Sequence, residues 1–376
     1  MWIKGEQQAF LSLVRAGLWE NLKINDERLK VNGSEQVDWD MVYQLAGEQS
    51  VVGVVLAGIE QYKNHNDNLN LNQTMLLEWI GEVQMLEQTN KAMNQFIEKL
   101  VGEMRQKGIY TLLVKGQGIA QCYERPLWRT SGDVDLLLSK DNYQKAKQFL
   151  LPLCSDHKKD ERYSKHLGMN IDQWYVEIHG SLRTGLSERI DQEVDAVQKD
   201  VFYDGNVRSW DCDGTTIFLP APDNDVFFVF THFIKHFYKE GMNLRQVCDW
   251  CRLLWTFKDS LNHGILEKRI RRAGLMSEWK AFAALAVEYL GMPIDAVPLL
   301  DGRSLMEDGR WRKKGERILK HILKGEPYNK VRDTWAIAKI FPLNTCKFLP
   351  AIFLNVNGLK IKERFFVPQK SQKGRK

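Results

Sequence analysis

The sequence predicts an α+β protein in which a small mixed β-sheet core is flanked by N-terminal and C-terminal helical regions. Apolar residues recur at helical spacing before residue 107, for example at Phe10, Val14 and Leu18. Short runs of β-forming residues occupy the stretch between residues 110 and 219, and the helical period returns after Pro222. Helices, then short strands, then helices again is the order expected of this fold class.

Residues 1–107 form the predicted N-terminal helical region. A second apolar pattern covers residues 38–62, where Asp38 has a side chain suited to cap a helix. Residues 74–106 contain no proline and predict one or two further helices. The asparagine-rich residues 64–72 predict the loop that precedes them.

Residues 108–220 form the predicted α/β core. Asp172 and Gln173 separate two strand-like runs and predict a hairpin turn. Helical segments are predicted over residues 117–123 and 142–150. The predicted strands cover residues 110–114, 133–138, 163–171, 174–178 and 217–219.

The C-terminal helical region is predicted over residues 221–330. Its helices cover residues 223–238, 243–257 and 266–290, and the highly charged residues 303–330 predict a mobile connection around a short helix. Residues 331–376 form a last unit, an apolar segment followed by a basic tail. Lysines and prolines interrupt the apolar segment, so we expect it to pack or to lie on a surface and not to span a membrane.

The net charge of +5 is unevenly distributed. Residues 360–376 contain seven basic residues and one acidic residue, which gives +6, so residues 1–359 sum to −1. A nearly neutral body does not indicate a nucleic-acid-binding domain, although the tail could add a weak, salt-sensitive attraction to polyanions.

Composition excludes several classes of protein. Of the 376 residues, 44% are hydrophobic and 27% are charged, which is typical of globular chains and excludes a mainly disordered or membrane-embedded one. Cys248 and Cys251 lack the second cysteine pair of a typical zinc site, so the six cysteines are interpreted as reduced and mostly buried. No secretory signal is recognisable, and a cytoplasmic location is expected.

Two aspartates, Asp133 and Asp135, flank Val134 in a predicted strand and therefore point to the same face. Two carboxylates about 4 Å apart repel each other by about 4 kcal/mol at an effective dielectric constant of roughly 20. Such a pair is either partly protonated or neutralised by a divalent cation. Ligands that are all oxygen favour Mg²⁺ or Mn²⁺ over zinc.

A third carboxylate, Glu177, occupies the middle of another predicted strand. Alternation puts Trp174, Val176 and Ile178 on one face and Tyr175, Glu177 and His179 on the other. A half-buried acid needs a metal or a cationic partner. His179, like His166, is interpreted as a hydrogen-bonded strand residue.

The residues around the aspartates suit a polyphosphate. Gly116 ends a strand and opens a helix, where backbone N–H groups can face phosphate, and Lys115 and Arg129 can neutralise phosphate oxygens. Ser131 and Gly132 allow close approach of the backbone. Alternatively, Arg129 pairs with an acid and Ser131 only forms a turn.

Four polar residues on the later helices form two pairs, each with a spacing of four residues. His232 and His236 lie four apart and are either packed core histidines or, for His232, part of the wall of a cleft. Arg245 and Asp249 have the spacing of an intrahelical ion pair.

These motifs occur in a recognisable order. Leu-Val-Lys-Gly at 113–116 is followed by Tyr-x2-Pro-x2-Arg-x3-Asp-x-Asp at 123–135 and by Val-Glu-Ile-His at 176–179. The arrangement resembles the nucleotidyltransferase superfamily with the DNA polymerase β-type catalytic fold. More narrowly, it is similar to a bacterial family of uncharacterised nucleotidyltransferases.

The resemblance implies residue roles. Asp133, Asp135 and Glu177 would be the catalytic acids and metal ligands, and the Lys115–Gly116 turn and Arg129 would surround the triphosphate. Many members of the superfamily have Gly-Ser where this chain has Lys-Gly. The Lys-Gly form also resembles toxin nucleotidyltransferases, which leaves the acceptor open.

The resemblance implies an enzyme that uses Mg²⁺ or Mn²⁺ and a nucleoside triphosphate. The leading interpretation is transfer of a nucleoside monophosphate to a hydroxyl of a small molecule or glycan precursor, with release of pyrophosphate. Transfer to tRNA or protein is the second interpretation. A non-catalytic nucleotide-binding protein is the third.

Overall fold

The computed structural model describes residues 5–19, 37–64, 69, 71–157, 166–298 and 309–353. It has the predicted α+β architecture, with a small mixed sheet between helical regions. The basic tail at 360–376, residues 163–165 of one predicted strand, residues 303–308 and most of the asparagine-rich loop lie outside the described residues.

Four helices precede the sheet: α1 (Gly5–Leu18), α2 (Trp39–Glu48), α3 (Val52–Asn64) and α4 (Gln73–Gln106). The Asp38 side chain accepts a hydrogen bond from the backbone N–H of Met41, which confirms it as the N-cap of α2. Asn72 caps α4 in the same way through Thr74. The apolar pattern over 38–62 is therefore two helices.

The central sheet has the strand order β1-β2-β5-β4-β3. Strands β2 and β5 are parallel, and every other neighbouring pair is antiparallel. A separate hairpin joins β6 to β7. The strands are β1 (Leu112–Val114), β2 (Asp133–Leu137), β3 (Asp156–His157), β4 (His166–Ile171), β5 (Trp174–His179), β6 (Val207–Cys212) and β7 (Thr215–Pro220).

Helices α5 (Gly116–Ala120) and α6 (Lys140–Leu150) lie within the sheet region, and α7 (Glu188–Tyr203) follows it. The remaining helices in the described part of the chain are α8 (Pro222–Lys239), α9 (Leu244–Phe257), α10 (His263–Ala273), α11 (Met276–Leu290), α12 (Gly309–Ile322), α13 (Lys330–Ala338) and α14 (Pro342–Phe353). None of the described helices is long and apolar enough to cross a lipid bilayer.

The two faces of the sheet have different surroundings. Val134, Leu136, Val176 and Ile178 are buried in an apolar cluster with the C-terminal half of α4 and with α6. The N-terminal half of α4 instead joins a larger cluster formed with the other helices. Asp133, Asp135 and Glu177 alternate with the buried residues and therefore lie on the opposite face.

The charged segment at 303–330 differs from expectation in its described part. Helix α12 is fourteen residues long and buries Ile318, Leu319 and Ile322. It lies so close to α11 that a Cβ added at Gly315 would be 2.9 Å from the backbone nitrogen of Leu285. An apolar stripe at helical spacing makes α12 a packed helix and not a mobile connection.

Glycines permit close contact between α1 and α3. A Cβ at Gly58 would lie 2.1 Å from the carbonyl oxygen of Leu13, and one at Gly17 would lie 1.8 Å from that of Val54. No real Cβ can approach a backbone oxygen so closely. The two helix backbones pack directly against each other at these positions.

Gly58→Ala should therefore destabilise the protein by about 1–3 kcal/mol, because the helices must separate to admit the methyl group. Gly81→Ala in α4 is the matched control, because no atom lies within 4 Å of its added Cβ. This control should be neutral or stabilising by up to about 1 kcal/mol, as expected for glycine replaced inside a helix. Thermal unfolding measures both changes, and equal melting temperatures would contradict close packing of α1 on α3.

Candidate active site

The three predicted acids converge on neighbouring strands. In the parallel pair of β2 and β5, Asp135 is opposite Glu177 and Asp133 is opposite Tyr175. One carboxylate oxygen from each of Asp133, Asp135 and Glu177 lies within 4.8 Å of the other two. Adjacent positions on one sheet face thus bring together acids that are 42–44 positions apart in sequence.

The two aspartates differ in their electrostatic environment. Burial, followed by the negative charges of Asp135 and Glu177, raises the pKa of Asp133. Burial alone would also raise the pKa of Asp135, but the Lys115 Nζ at 2.8 Å and the His179 Nε2 at 2.6 Å hold that pKa well below its usual value. Among the described residues Asp133 has no hydrogen-bond or ion-pair partner, so its negative charge is not compensated by a direct contact.

This donor set fits a hard divalent cation. Three carboxylates within bonding distance of one centre supply only oxygen, and the uncompensated Asp133 gives them a negative charge that a cation would relieve. His166, Glu177 and His179 form a second group with spacing suited to a metal. Both groups include Glu177.

Lys115 occupies a strained turn beside the acids. Its backbone has φ +62° and ψ −152°, which is unusual for a residue with a side chain. Gly116 follows with φ +45°, and a Cβ there would lie 3.3 Å from the carbonyl oxygen of Asp133. Burial alone would lower the pKa of Lys115, but Asp135 and then Asp133 raise it, so the ammonium stays charged. Strain of this kind is often retained at functional sites.

Two histidines contact the acids from the side. His179 Nε2 lies 2.6 Å from Asp135 Oδ1, and His166 Nε2 lies 3.0 Å from Glu177 Oε2. Their rings stack with centroids 4.7 Å apart. The predicted strand histidines therefore orient carboxylates, a function that their sequence pattern did not indicate.

Arg129 makes a buried ion pair with the C-terminal helices. Its Nε and Nη2 donate to the two carboxylate oxygens of Asp249 at 2.8 and 2.7 Å, and its Nη1 donates to Ser131 Oγ at 2.8 Å. Tyr123 also donates to Asp249. The guanidinium thus fixes the segment that leads into β2. Gly132 in this segment is exposed, with no atom within 4 Å of an added Cβ.

Arg245 reaches the same segment from α9. Its Nη1 donates to the carbonyl oxygen of Thr130 at 2.7 Å, and its positive charge lowers the pKa of Asp133. The ion pair with Asp249 suggested by their spacing does not form, because Asp249 pairs with Arg129. Among the described residues Arg245 has no ion-pair partner, and its Nε is buried without a hydrogen bond.

His232 lies on the side of the site formed by α8. Burial, and then the positive charge of Lys115, lowers the pKa of His232 well below its usual value, so the imidazole is neutral. Its Nε2 is 3.0 Å from that of His236, which in turn contacts Glu240 at 2.9 Å. The structure thus places His232 at the boundary of the site.

A cleft of about 390 Å³ lies between the end of α8 and the start of α9. His236 and Arg245 line it, and they link it to His232 and to Thr130 respectively. The other polar side chains along the cleft include Glu240, Asn243, Gln246, His321, Lys324 and Tyr328. Arg245 is thus shared by this polar cleft and the segment that leads into β2.

Comparison with known proteins identifies one family. A model described as uncharacterised nucleotidyltransferase matches residues 35–291. This range includes the sheet, all three acids and helices α2 to α11, but not α1 or α12. No curated protein and no solved structure matches the chain.

Replacing each aspartate in metal-free protein should have opposite effects. Asp133→Asn removes a charge that burial and the neighbouring Asp135 and Glu177 disfavour, so it should raise the melting temperature. Asp135→Asn leaves the buried Lys115 ammonium without its partner and should destabilise the fold by about 3 kcal/mol.

Thermal unfolding in EDTA measures both effects, with Asp141→Asn on the exposed start of α6 as control. Added Mg²⁺ or Mn²⁺ should raise the melting temperature of the unaltered protein and have a smaller effect on either variant. A lower melting temperature for Asp133→Asn in EDTA would show that neighbouring protein groups already compensate the negative charge of Asp133.

Proposed function

This chain belongs to the uncharacterised nucleotidyltransferase family, and on that premise we propose that it transfers a nucleoside monophosphate from a nucleoside triphosphate to an acceptor hydroxyl, releasing pyrophosphate. The observation that carries the proposal is the convergence of Asp133, Asp135 and Glu177 beside the strained Lys115–Gly116 turn. Phosphoryl-type transfer requires charge neutralisation and alignment more than covalent chemistry, and these residues supply both.

Asp133, Asp135 and Glu177 would hold Mg²⁺ or Mn²⁺. When bound, such ions neutralise phosphate charge and favour ionisation of the attacking hydroxyl. Lys115 keeps Asp135 ionised and places a fixed positive charge at the same point. His179 and His166 keep the carboxylates of Asp135 and Glu177 oriented towards the centre.

We assign the triphosphate to the surface formed by Lys115, Gly116, Ser131, Gly132 and Arg245. The side chains of Lys115 and Arg245 can neutralise phosphate oxygens. Because Gly132 is exposed and has no side chain, the phosphate can approach the backbone there. Arg129 has a different function here. Because its guanidinium is buried against Asp249, it positions residues 129–132 and does not contact the nucleotide directly.

The acceptor is assigned to the cleft beside His232 and His236. Asn243, Gln246 and Tyr328 provide hydrogen-bond donors and acceptors suited to a ligand rich in hydroxyl groups. A volume of about 390 Å³ suits a small molecule, within the usual range of ligand pockets of roughly 300–1,000 Å³. A small molecule or glycan precursor is therefore our favoured acceptor.

The reaction class is tested by incubating the protein with each of four α-labelled nucleoside triphosphates, Mg²⁺ and a cell extract. Label should move to a small molecule, and Asp135→Asn should abolish the transfer. Label in RNA or protein would overturn the assigned acceptor. Nucleotide binding without any transfer would overturn the enzymatic proposal.

Glu177→Gln removes the charge of the third acid and keeps its shape. Transfer should fall by roughly 10²–10⁴-fold, the usual range for a positioned group that assists proton transfer, because we assign to Glu177 the activation of the acceptor hydroxyl. Binding of the nucleotide–Mg²⁺ complex should change by less than about tenfold. Single-turnover rates and melting temperatures of this variant and of the Asp141→Asn control separate catalysis from folding. Lost stability with an unchanged rate per folded molecule would make Glu177 a structural residue.

Arg245→Gln tests the triphosphate surface. The variant should weaken nucleotide binding by about tenfold or more, since a charge-assisted hydrogen bond contributes roughly 1.5–3 kcal/mol. Lys258→Gln on the other end of α9 is the control, because Lys258 pairs with Asp295 far along the helix from Thr130. Titration with labelled nucleotide measures the affinity. Equal affinities for both variants would exclude a direct contact by Arg245.

A further inference from the structure

The last two described helices form a hairpin whose outer face is apolar. Helices α13 and α14 are antiparallel neighbours, because Lys330 at the start of α13 lies 5.8 Å from the ring of Phe353 at the end of α14. Both helices pack on α8, and Phe348 makes an edge-to-face contact with Tyr238 at 4.9 Å. The inner face of the hairpin is thus part of the helical core.

The outer face exposes large apolar side chains to solvent. On α13, Val331 and Trp335 lie four apart and are 56% and 69% exposed. On α14, Leu343 is 76% exposed. Lys347 is the only charged residue on the exposed arc of α14, which otherwise consists of Pro342, Leu343, Cys346, Leu349, Pro350 and Phe353. Exposed large apolar side chains at this density indicate an interaction site.

The charge of this part of the chain is strongly positive. Residues 330–376 contain eleven Lys and Arg against two acids, which gives +9, whereas residues 1–329 sum to −4. One of the two acids, Asp333, is buried and paired with Lys324. Exposed charges on the hairpin, such as Lys339 and Lys347, are therefore cationic.

The chain continues from this same face. Phe353 is the last described residue and is exposed, and 23 residues follow it. Their sequence alternates cationic and apolar residues, with Lys360, Lys362 and Arg364 close to Ile361 and Phe365. In sequence, the apolar hairpin is thus followed directly by a strongly basic segment.

We propose that the outer face of the α13–α14 hairpin docks on the surface of an anionic phospholipid bilayer. The apolar side chains enter the interfacial layer, where tryptophan is favoured, and the lysines and arginines are attracted to the lipid phosphates. A nucleic acid would use the cations and leave Leu343 and Trp335 in water. This inference does not rest on the proposed enzymatic function.

Sedimentation with lipid vesicles tests the proposal. The full chain should bind vesicles that contain roughly one third phosphatidylglycerol at least about tenfold more tightly than pure phosphatidylcholine vesicles. Raising the NaCl concentration from about 0.1 M to about 0.5 M should weaken this binding, because salt screens the attraction. Removing residues 354–376 should lower both the affinity and its salt dependence.

The contribution of the apolar face is tested by the double variant Trp335→Ser, Leu343→Ser. It should bind the anionic vesicles about tenfold less tightly with an unchanged melting temperature, because both side chains are already exposed. The matched control is Leu77→Ser, Met85→Ser on α4, whose side chains are 61% and 70% exposed. This control should bind like the unaltered protein.

Three results would overturn the proposal. The first is failure of the intact chain to bind anionic vesicles. If the double variant then only converts a dimer to a monomer in analytical ultracentrifugation, the apolar face is an interface between two copies of the chain. The second is equal binding by the double variant and its control. Vesicle binding would then be explained by attraction of the basic tail to any polyanion, without the apolar face. The third is tighter binding after removal of residues 354–376, which would mean that the tail covers the hairpin.

Discussion

Three carboxylates on neighbouring parallel strands repel one another, and much of the surrounding structure compensates for this repulsion. The register of β2 and β5 forces Asp135 and Glu177 into adjacent positions. Burial of Val134, Leu136, Val176 and Ile178 beneath them supplies the apolar packing that holds this register, because a slip by one residue would turn these side chains to the other face. The core thus fixes the acids in place at the cost of crowding their charges.

The site also depends on helices that are far from the strands in sequence. Asp249 of α9 holds Arg129, and Arg245 of the same helix contacts Thr130, so α9 fixes the segment that enters β2 from both sides. Asn90 of α4 adds a hydrogen bond to the carbonyl oxygen of Arg129. The geometry of the acids is therefore a property of the sheet together with the helices on either side of it.

Local sequence patterns correctly placed the three acids on one face of the sheet but did not predict their partners. Alternation along a strand sufficed for Asp133, Asp135 and Glu177, because it depends on adjacent residues only. The Arg129–Asp249 pair joins residues 120 positions apart, and no local pattern could choose Asp249 over other acids. No strand was predicted over β6, because the apolar Val207 is on its exposed face and the charged Arg208 is on its half-buried face, so apolar and polar residues do not alternate there. Helix α7 did carry a signal, since Ser187 caps it and Ile190, Val194, Val197 and Val201 follow at helical spacing.

Asp133 and Asp135 differ in how far neighbouring groups compensate their charge. This difference explains how the site can be stable without a cation and still favour binding of one. The Lys115 ammonium and the contact with His179 compensate Asp135, so the most deeply buried of the three carboxylates does not oppose folding. Asp133 has no such contact among the described residues and is held close to two other acids, so a bound cation would relieve its unfavourable interaction. Full compensation of all three acids by fixed lysines and arginines would stabilise the fold but would remove the reason for a cation to bind. The arrangement leaves one carboxylate uncompensated where incoming positive charge gains the most.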